Sequence, residues 1–319
     1  MQILTEISGV SPGFSVTRSG SSVQIELSYG LSGYVDEETQ LYIYQGDAYC
    51  ELGSAYDYTS HSGASDRVMS LNFITGLTAG QVSTGQFTVR DYYYWAEIEQ
   101  AFSLVLFDTA ADHTGTDVMG IVFGSAEDDR INGGGARDFI EGGNGADMIA
   151  GGGDDDWIGG DEGNDTLAGD AGNDIMFGGG GRDQMAGGSG RDQLTGAGGS
   201  DSLSGGDGND MLNGGWGFDR SIGGAGADAF FHLGVRGHGS DWIEDFASED
   251  GDVLLFGVTS ATGDDFQVNY ATTPGAGADD VAEAFVIYRP TWQILWALVD
   301  GAGQEQIHVR IDGQDYALL

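Results

Sequence analysis

The amino-acid sequence predicts an all-β protein of three parts: an N-terminal β-sandwich over residues 1–122, a parallel β-roll over residues 123–246 and a small β-rich cap over residues 247–319. Three observations lead to this prediction. Twelve nine-residue repeats follow one another without insertion from residue 124 to residue 231. Short strand-like runs, separated by glycine and serine, come before the repeats, and further strand-like runs come after them.

The repeats share a strict pattern of glycine, aspartate and apolar residues. The first residue of every repeat is glycine: Gly124, Gly133, Gly142, Gly151, Gly160, Gly169, Gly178, Gly187, Gly196, Gly205, Gly214 and Gly223. The sixth residue is always aspartate: Asp129, Asp138, Asp147, Asp156, Asp165, Asp174, Asp183, Asp192, Asp201, Asp210, Asp219 and Asp228. The eighth residue is apolar in eleven repeats, and Ser221 is the exception. A flexible linker would not keep twelve aspartates in register, so the pattern indicates a repeated structural unit.

The spacing of these residues predicts the path of the chain. Extended residues around the eighth position direct one side chain inward, and the six glycine-rich residues that follow turn the chain. Two repeats then make one coil with a short strand on each side, so twelve repeats predict six coils. Aspartates eighteen residues apart fall on the same edge, and the twelve therefore form two ladders. One apolar side chain in nine residues cannot stabilise so thin a core alone.

The charge of the chain points to the missing stabilising partner. The sequence has 51 acidic and 11 basic residues, a formal net charge of −40. This charge excludes binding to nucleic acid or to an anionic membrane surface, and it opposes a compact fold unless cations neutralise it. Carboxylates and backbone carbonyls are ligands that Ca²⁺ prefers, whereas Mg²⁺ demands a tighter octahedral geometry. The ladders therefore predict rows of Ca²⁺ between successive coils, about ten ions for six coils.

The repeats themselves supply the predicted calcium ligands. The twelve aspartates contribute carboxylates. A degenerate thirteenth repeat over residues 236–244 contains Asp241. Asp241 and Asp245 either bind a last Ca²⁺ or belong to a solvated turn. The first repeat has Ser125 and Glu127 in place of glycine, which predicts a weak or empty first site. The glycines expected to line the sites are Gly133, Gly135, Gly142, Gly151, Gly153, Gly160, Gly169, Gly178, Gly180, Gly187, Gly196, Gly205, Gly214 and Gly223.

The repeat pattern resembles that of a known family. Residues 205–212 read Gly-Gly-Asp-Gly-Asn-Asp-Met-Leu and follow G-G-x-G-x-D-x-U-x, in which U is apolar. The chain is thus similar to RTX, or hemolysin-type calcium-binding, proteins. The resemblance implies a β-roll that folds around Ca²⁺ and export by a type I secretion apparatus. It also implies an uncleaved secretion signal at the extreme C-terminus, which here is residues 316–319.

The segments on either side of the repeats predict further β-structure. Residues 14–20, 53–59 and 97–106 resemble a Calx-β domain, which is either purely structural or binds Ca²⁺ through acidic residues. The acids that would bind Ca²⁺ are Asp57, Asp91, Glu97 and Glu99. Strand-like runs before the repeats are residues 14–17, 23–27, 40–44, 68–73, 86–89 and 101–107. Runs expected to form the cap of the solenoid are residues 285–288, 294–299 and 306–311.

The sequence gives no sign of catalysis. None of the five histidines belongs to an H-E-x-x-H motif, and the chain has no G-x-S-x-G, Walker A or dinucleotide-binding motif. No apolar run approaches the length of a membrane-spanning helix. We therefore expect a secreted, non-enzymatic protein that assembles with itself into a surface layer, matrix or filament, or that adheres to other surfaces. The alternative is a polysaccharide-binding or carbohydrate-active protein that uses the N-terminal aromatic stretch at residues 91–95.

Overall fold

The computed structural model describes residues 110, 112–274, 276–278 and 281–318, and before them the backbone of eight strands. The chain divides into two compact units, Met1–Leu106 and Phe107–Leu319. The proposed acidic ligand Asp57 and the aromatic residues 92–95 lie outside the described residues.

The first unit consists of antiparallel strands. One set of pairs gives the order β1-β2-β3-β6, and the other gives β5-β4-β7-β8. The strands are β1 (Thr5–Glu6), β2 (Pro12–Ser19), β3 (Ser22–Gly30), β4 (Gln40–Gln45), β5 (Ala48–Cys50), β6 (Asp66–Ile74), β7 (Val82–Asp91) and β8 (Ala96–Leu106). This arrangement agrees with the predicted all-β class, while the Calx-β resemblance and the calcium ligands Asp91, Glu97 and Glu99 stay predictions.

The repeats form a parallel β-solenoid, as the sequence predicts, with strands that alternate between two sheets. The first sheet contains β9 (Asp112–Thr116), β11 (Arg130–Gly134), β13 (Met148–Gly153), β15 (Thr166–Ala171), β17 (Gln184–Ser189), β19 (Ser202–Asp207), β21 (Arg220–Ala225) and β23 (Asp241–Ile243). The second contains β10 (Met119–Phe123), β12 (Phe139–Asn144), β14 (Trp157–Glu162), β16 (Ile175–Gly181), β18 (Gln193–Gly199), β20 (Met211–Gly217), β22 (Ala229–His232) and β24 (Val253–Phe256).

The solenoid is longer than the repeat count suggests. It has about seven turns over residues 112–243, not six. Strand β9 pairs with β11 and β10 pairs with β12, in the same parallel register that joins the repeats to one another. In residues 115–123, Gly115 stands at the first position of a repeat, but Gly120 replaces the sixth-position aspartate, so a search for the full repeat pattern does not find this turn.

The core of the solenoid is the predicted thin seam of apolar side chains, to which each sheet contributes one row. Consecutive strands pair so that the eighth residue of one repeat lies beside the eighth residue two repeats later, as Ile131 does beside Ile149. Ser221 occupies the same buried position as the apolar residues. The eleven buried apolar side chains are Ile131, Ile140, Ile149, Ile158, Leu167, Met176, Met185, Leu194, Leu203, Leu212 and Phe230.

Glycine at the second position of a repeat has a conformational cause. There the backbone adopts a positive φ, such as 114° at Gly188 and Gly206, which glycine reaches without steric cost. Four repeats lack this glycine, among them the first repeat with Ser125. In the other three, Asp161, Asp170 and Ala197 have φ values of 70°, 69° and 75°. Aspartate tolerates this left-handed region, whereas alanine gains no compensating hydrogen bond from its side chain.

The cap continues both sheets of the solenoid beyond the repeats. Strand β27 pairs in parallel with β23, and β28 pairs in parallel with β24, so a cap strand covers the end of each sheet. Antiparallel partners then complete the cap on each side. The elements are the 3₁₀ turns Gly263–Asp265 and Gly301–Gly303 and the strands β25 (Phe266–Ala271), β26 (Glu283–Tyr288), β27 (Gln293–Leu298), β28 (His308–Ile311) and β29 (Gln314–Ala317). The three runs predicted for the cap correspond to β26, β27 and β28.

Candidate metal centre

The twelve sixth-position aspartates form two buried ladders, one on each edge of the solenoid. None of these residues is more than 3 % exposed. In each ladder, the Oδ1 atom accepts a hydrogen bond from the backbone N–H of the aspartate one coil earlier. The Oδ1 atom of Asp165, for example, lies 2.8 Å from the amide nitrogen of Asp147. One carboxylate oxygen therefore joins adjacent coils directly, and only the second oxygen remains for a ligand.

The second oxygen is buried and unpaired along almost the whole of both ladders. Among the described residues, no hydrogen-bond partner contacts the Oδ2 atoms of Asp138, Asp147, Asp156, Asp165, Asp174, Asp183, Asp192, Asp201, Asp210, Asp219 and Asp228. The Oδ2 atom of Asp129 differs, because it accepts a hydrogen bond of 2.6 Å from the backbone N–H of Ser125. A buried carboxylate oxygen without a partner is costly, and eleven of them in register indicate an absent cationic ligand.

Each unpaired oxygen faces a space that only glycine leaves open. A Cβ atom on Gly160 would lie 2.6 Å from the carbonyl oxygen of Gly178, one coil later, and closer still to Oδ2 of Asp165. The same two kinds of oxygen converge on the first-position glycine in other repeats, such as Gly169 and Gly187. A side chain at this position would fill the space between a carboxylate oxygen and a carbonyl oxygen. This is the physical reason for glycine at the first position of all twelve repeats.

The third-position glycines have different surroundings. A Cβ atom on Gly135 would approach Oδ1 of Asp117, and one on Gly180 would approach Oε2 of Glu162. A Cβ atom on Gly153 would come no closer than 3.6 Å to any atom. No sixth-position carboxylate approaches these three Cα atoms in the described part of the chain, so their side-chain positions do not face the ladders.

Burial makes the ladders unfavourable as free anions. It raises the pKa of Asp156 to about 9, although the N–H of Asp138 opposes this change and the negative charges of Asp138 and Asp174 add to it. In the same way, burial raises the pKa of Asp138 to about 7 and that of Asp147 to about 6. Since a cation would neutralise these carboxylates where burial disfavours their charge, the electrostatics favour a metal-bound state.

The available ligands suit calcium. In the described residues, no three histidine, cysteine, aspartate or glutamate side chains gather into a metal-binding group. A cation in the ladders would therefore be held by single carboxylates together with backbone carbonyls. Such an all-oxygen set fits Ca²⁺, whereas Zn²⁺ prefers nitrogen and sulfur ligands and Mg²⁺ requires a near-ideal octahedron.

The ladder on one edge continues into the degenerate thirteenth repeat. Pairing of β21 with β23 aligns Asp241 one coil after Asp219, as the sequence analysis proposed. Asp241 is buried, and its Oδ1 atom has no hydrogen-bond partner among the described residues. Burial and the neighbouring charge of Asp219 raise the pKa of Asp241. Asp241 therefore has the features of a further calcium ligand.

The ladder on the other edge ends in a residue that the sequence analysis missed. Asp252 accepts hydrogen bonds from the backbone N–H groups of Asp228, at 2.9 Å, and Ala247, at 2.8 Å. Asp245 accepts hydrogen bonds of 2.8 Å from both Gly223 and Gly224. The signal for Asp252 was an aspartate two residues before an apolar residue, but it follows Asp228 by 24 residues and not by eighteen. The insertion conceals the continuation of the ladder.

A second set of hydrogen bonds reinforces the turns from the fifth position of the repeat. Asn164, for example, accepts through Oδ1 a hydrogen bond of 2.8 Å from the backbone N–H of Arg182, one coil later. Asn173 accepts a similar bond of 2.9 Å from Arg191. Asp128, Asp155 and Asn209 do the same. The signal in the sequence is the Asn-Asp or Asp-Asp pair at positions five and six, which the sequence analysis did not use.

The fold and the ladders together define a parallel β-solenoid with a ladder of buried carboxylates along each edge. Comparison with known families agrees. Residues 123–158, 159–194, 186–221 and 195–230 match the RTX calcium-binding nonapeptide repeat. This region of the chain therefore consists of repeats of the RTX calcium-binding type. A comparison with curated proteins found no match. The described part of the chain contains no helix with the length and apolar character needed to cross a membrane.

Proposed function

We propose that this protein is exported unfolded, folds when it meets Ca²⁺ outside the cell, and acts there as a non-enzymatic structural or adhesive protein. The observation that supports this proposal most directly is the row of eleven buried carboxylate oxygens that lack a partner among the described residues. The non-enzymatic role rests on the sequence, which lacks the peptidase, lipase and nucleotide-binding motifs named above. A surface layer, an extracellular matrix or a filament would use such a protein as a subunit.

The ladders couple calcium binding to folding. Without a cation, the coiled state brings carboxylates of like charge together in buried positions, which is unfavourable. The thin seam of apolar side chains contributes too little to offset this cost and the conformational entropy of a glycine-rich chain. The free energy of binding is then also free energy of folding. Cytosolic Ca²⁺ is too low to drive this process, whereas extracellular Ca²⁺ lies in the range of weak calcium modules.

The unpaired oxygens also suggest how many ions the solenoid holds. Eleven Oδ2 atoms and Oδ1 of Asp241 give twelve candidate positions. Asp252 offers no further position because both of its carboxylate oxygens accept backbone hydrogen bonds. We expect a weak first site because Oδ2 of Asp129 is hydrogen-bonded to Ser125. We therefore propose about twelve Ca²⁺ ions, slightly more than the ten expected from six coils.

A titration of the purified chain with Ca²⁺ tests this function. Circular dichroism and hydrodynamic radius should show a cooperative change from coil to compact β-structure, and Mg²⁺ at the same concentrations should not reproduce it. Growth of the folded particle into ordered multimers would support a layer or filament, and a stable monomer would favour adhesion. A chain that is already compact and β-structured in excess chelator would contradict folding coupled to calcium.

A further inference from the structure

Exposed aromatic rings gather where the solenoid meets its cap. Trp216, Phe218 and Trp292 are 53 %, 69 % and 71 % exposed. Trp216 and Phe218 occupy the third and fifth positions of their repeat, where the other eleven repeats have small or polar residues. The solenoid fold therefore does not require large aromatic rings at these positions, and their role lies at the surface.

Hydrogen bonds place the rings on one edge of the structure. The backbone N–H of Gly217 donates to the carbonyl of His238 at 2.8 Å, and the rings of Trp216 and His238 have centroids 5.0 Å apart. The Nε2 atom of Gln293 donates to the carbonyl oxygen of Gly239 at 2.6 Å. Residues 216, 238 and 293 thus occupy successive rungs, separated by roughly 5 Å. Trp292 adjoins the last of these rungs, so the backbones of the two tryptophans are roughly 10 Å apart along the edge.

The conformation of Trp292 points to a role beyond stability. Its φ is 56°, in the left-handed region that a bulky side chain rarely adopts. Because the ring is largely exposed, its packing does not repay this strain. Strained residues of this kind are concentrated in functional sites, where the backbone holds a side chain in a required position.

The surroundings of the rings offer an open surface. Gly198 lies one coil before Trp216, and a Cβ atom there would meet only the carbonyl of Gly179, at 3.7 Å. An open shelf therefore adjoins the indole ring. The Nδ1 atom of His238 and the Oε1 atom of Gln293 have no hydrogen-bond partner within the described residues. Both atoms are buried, so a ligand here would meet the exposed ring faces and not these two polar atoms.

We infer that Trp216, Phe218 and Trp292 form a binding site for a neutral polysaccharide. Sugar rings present apolar C–H faces that pack against aromatic rings, and their hydroxyl groups donate and accept hydrogen bonds. The formal charge of −40 disfavours anionic polymers and anionic membranes. A neutral glycan is a partner that meets no such repulsion. A second copy of the same chain is the other partner that could cover the rings, and the test below separates it from a glycan.

This inference rests on the proposed function, because the last coil and its exposed rings require the calcium-folded solenoid. The test uses the full chain in saturating Ca²⁺, with insoluble cellulose and chitin in pull-down assays and a soluble neutral glucan in affinity electrophoresis. We expect the chain to bind at least one of these probes and to be released by chelator. Circular dichroism in the same buffers reports calcium-dependent folding separately, so failure of folding and failure of binding are distinguishable.

Three variants test the assignment of the rings. Trp292→Gly removes the ring and relieves the left-handed strain, so it should fold as well as the parent while its binding falls about tenfold or more. Trp216→Ala should also weaken binding. Tyr270→Ala is the matched control, since Tyr270 is 46 % exposed on the edge strand β25, and it should bind like the parent.

Three outcomes would overturn the proposal. The first is a well-folded parent that binds none of the neutral probes, and the second is binding that both tryptophan variants retain. The third is a parent that self-associates in Ca²⁺ through these rings without binding glycan, as judged by sedimentation of the parent and of Trp292→Gly. That result would assign the rings to a contact between copies of the chain.

Discussion

Replacing a first-position glycine by alanine tests the geometry of the calcium site more sharply than removing a ligand. In the Gly160→Ala variant, the new methyl group would lie 2.6 Å from the carbonyl oxygen of Gly178 and nearer still to Oδ2 of Asp165. The carboxylate of Asp165 is held by the hydrogen bond that its Oδ1 atom accepts from Asp147, and the carbonyl of Gly178 belongs to the backbone of the next coil. Neither oxygen can retreat without disturbing the contact between two coils. Overpacking of this kind costs on the order of 1–3 kcal/mol, and displacement of a ligand oxygen adds to this cost.

Gly198→Ala provides a control with the same chemical change in the same solenoid. A Cβ atom at Gly198 has open space around it, with one neighbouring oxygen at 3.7 Å. We expect this variant to be as stable as the parent or more stable by about 0.4–1 kcal/mol, because alanine restricts the unfolded chain.

Two measurements compare these variants. Denaturant unfolding in saturating Ca²⁺ gives the free energy of unfolding, and equilibrium dialysis gives the number of bound ions. We expect Gly160→Ala to lose stability and at least one ion, and Gly198→Ala to lose neither. Equal stability and equal calcium content in the two variants would refute the assignment of the first-position glycine to the cation site.

Three further predictions follow from the ladders and the turns. Ala197→Gly should raise the free energy of unfolding in Ca²⁺ by roughly 1 kcal/mol, because glycine removes the strain at φ 75°. An unchanged or lower free energy in denaturant unfolding would contradict this explanation. Asp165→Asn should remove a ligand charge and raise the Ca²⁺ concentration at the folding midpoint. Asp129→Asn should change this midpoint less, because Oδ2 of Asp129 already accepts a hydrogen bond. Equal shifts of the midpoint in circular dichroism titrations of the two variants would argue against an empty first site. In chelator, the folded pKa values of about 9 for Asp156 and about 6 for Asp147 lie above the ordinary value of 3.8. The metal-free solenoid should therefore be most stable below pH 4 and lose stability progressively as the pH rises from about 4 to about 9. In Ca²⁺, stability should instead rise with pH, because protons compete with Ca²⁺ for the carboxylates. Circular dichroism against pH with and without Ca²⁺ measures both trends, and identical pH profiles would contradict the argument.

The repeat region could be predicted from the sequence in detail because local and global requirements coincide there. Every nine residues, the chain needs a glycine beside a carboxylate, an aspartate on the ladder and an apolar residue inside, so each requirement is visible at a fixed spacing. Gly160, Asp165 and Leu167 illustrate the three requirements within one repeat. The parallel register between coils then follows from the same spacing.

The ends of the solenoid were harder to predict, because the strands there pair with the sheets without following the repeat pattern in sequence. Strands β9 and β10 join the sheets through backbone hydrogen bonds that any suitable side chains allow. Asp252 continues a ladder after an insertion that changes the spacing, and backbone amides satisfy both of its oxygens. The role of Trp292 also has no local signal, since its left-handed backbone is set by the turn between β26 and β27.

The ladder hydrogen bonds have a mechanical consequence. Each aspartate bonds to the coil immediately before it, and the spacing is eighteen residues throughout the repeats, as between Asp147 and Asp165. A pulling force applied along the chain would therefore detach one coil at a time from an end, and the remaining coils would keep their own bonds. Each detached coil would release eighteen residues, roughly 60 Å of extended chain. The solenoid would then act as an extensible tether whose resistance to force depends on the Ca²⁺ concentration around it.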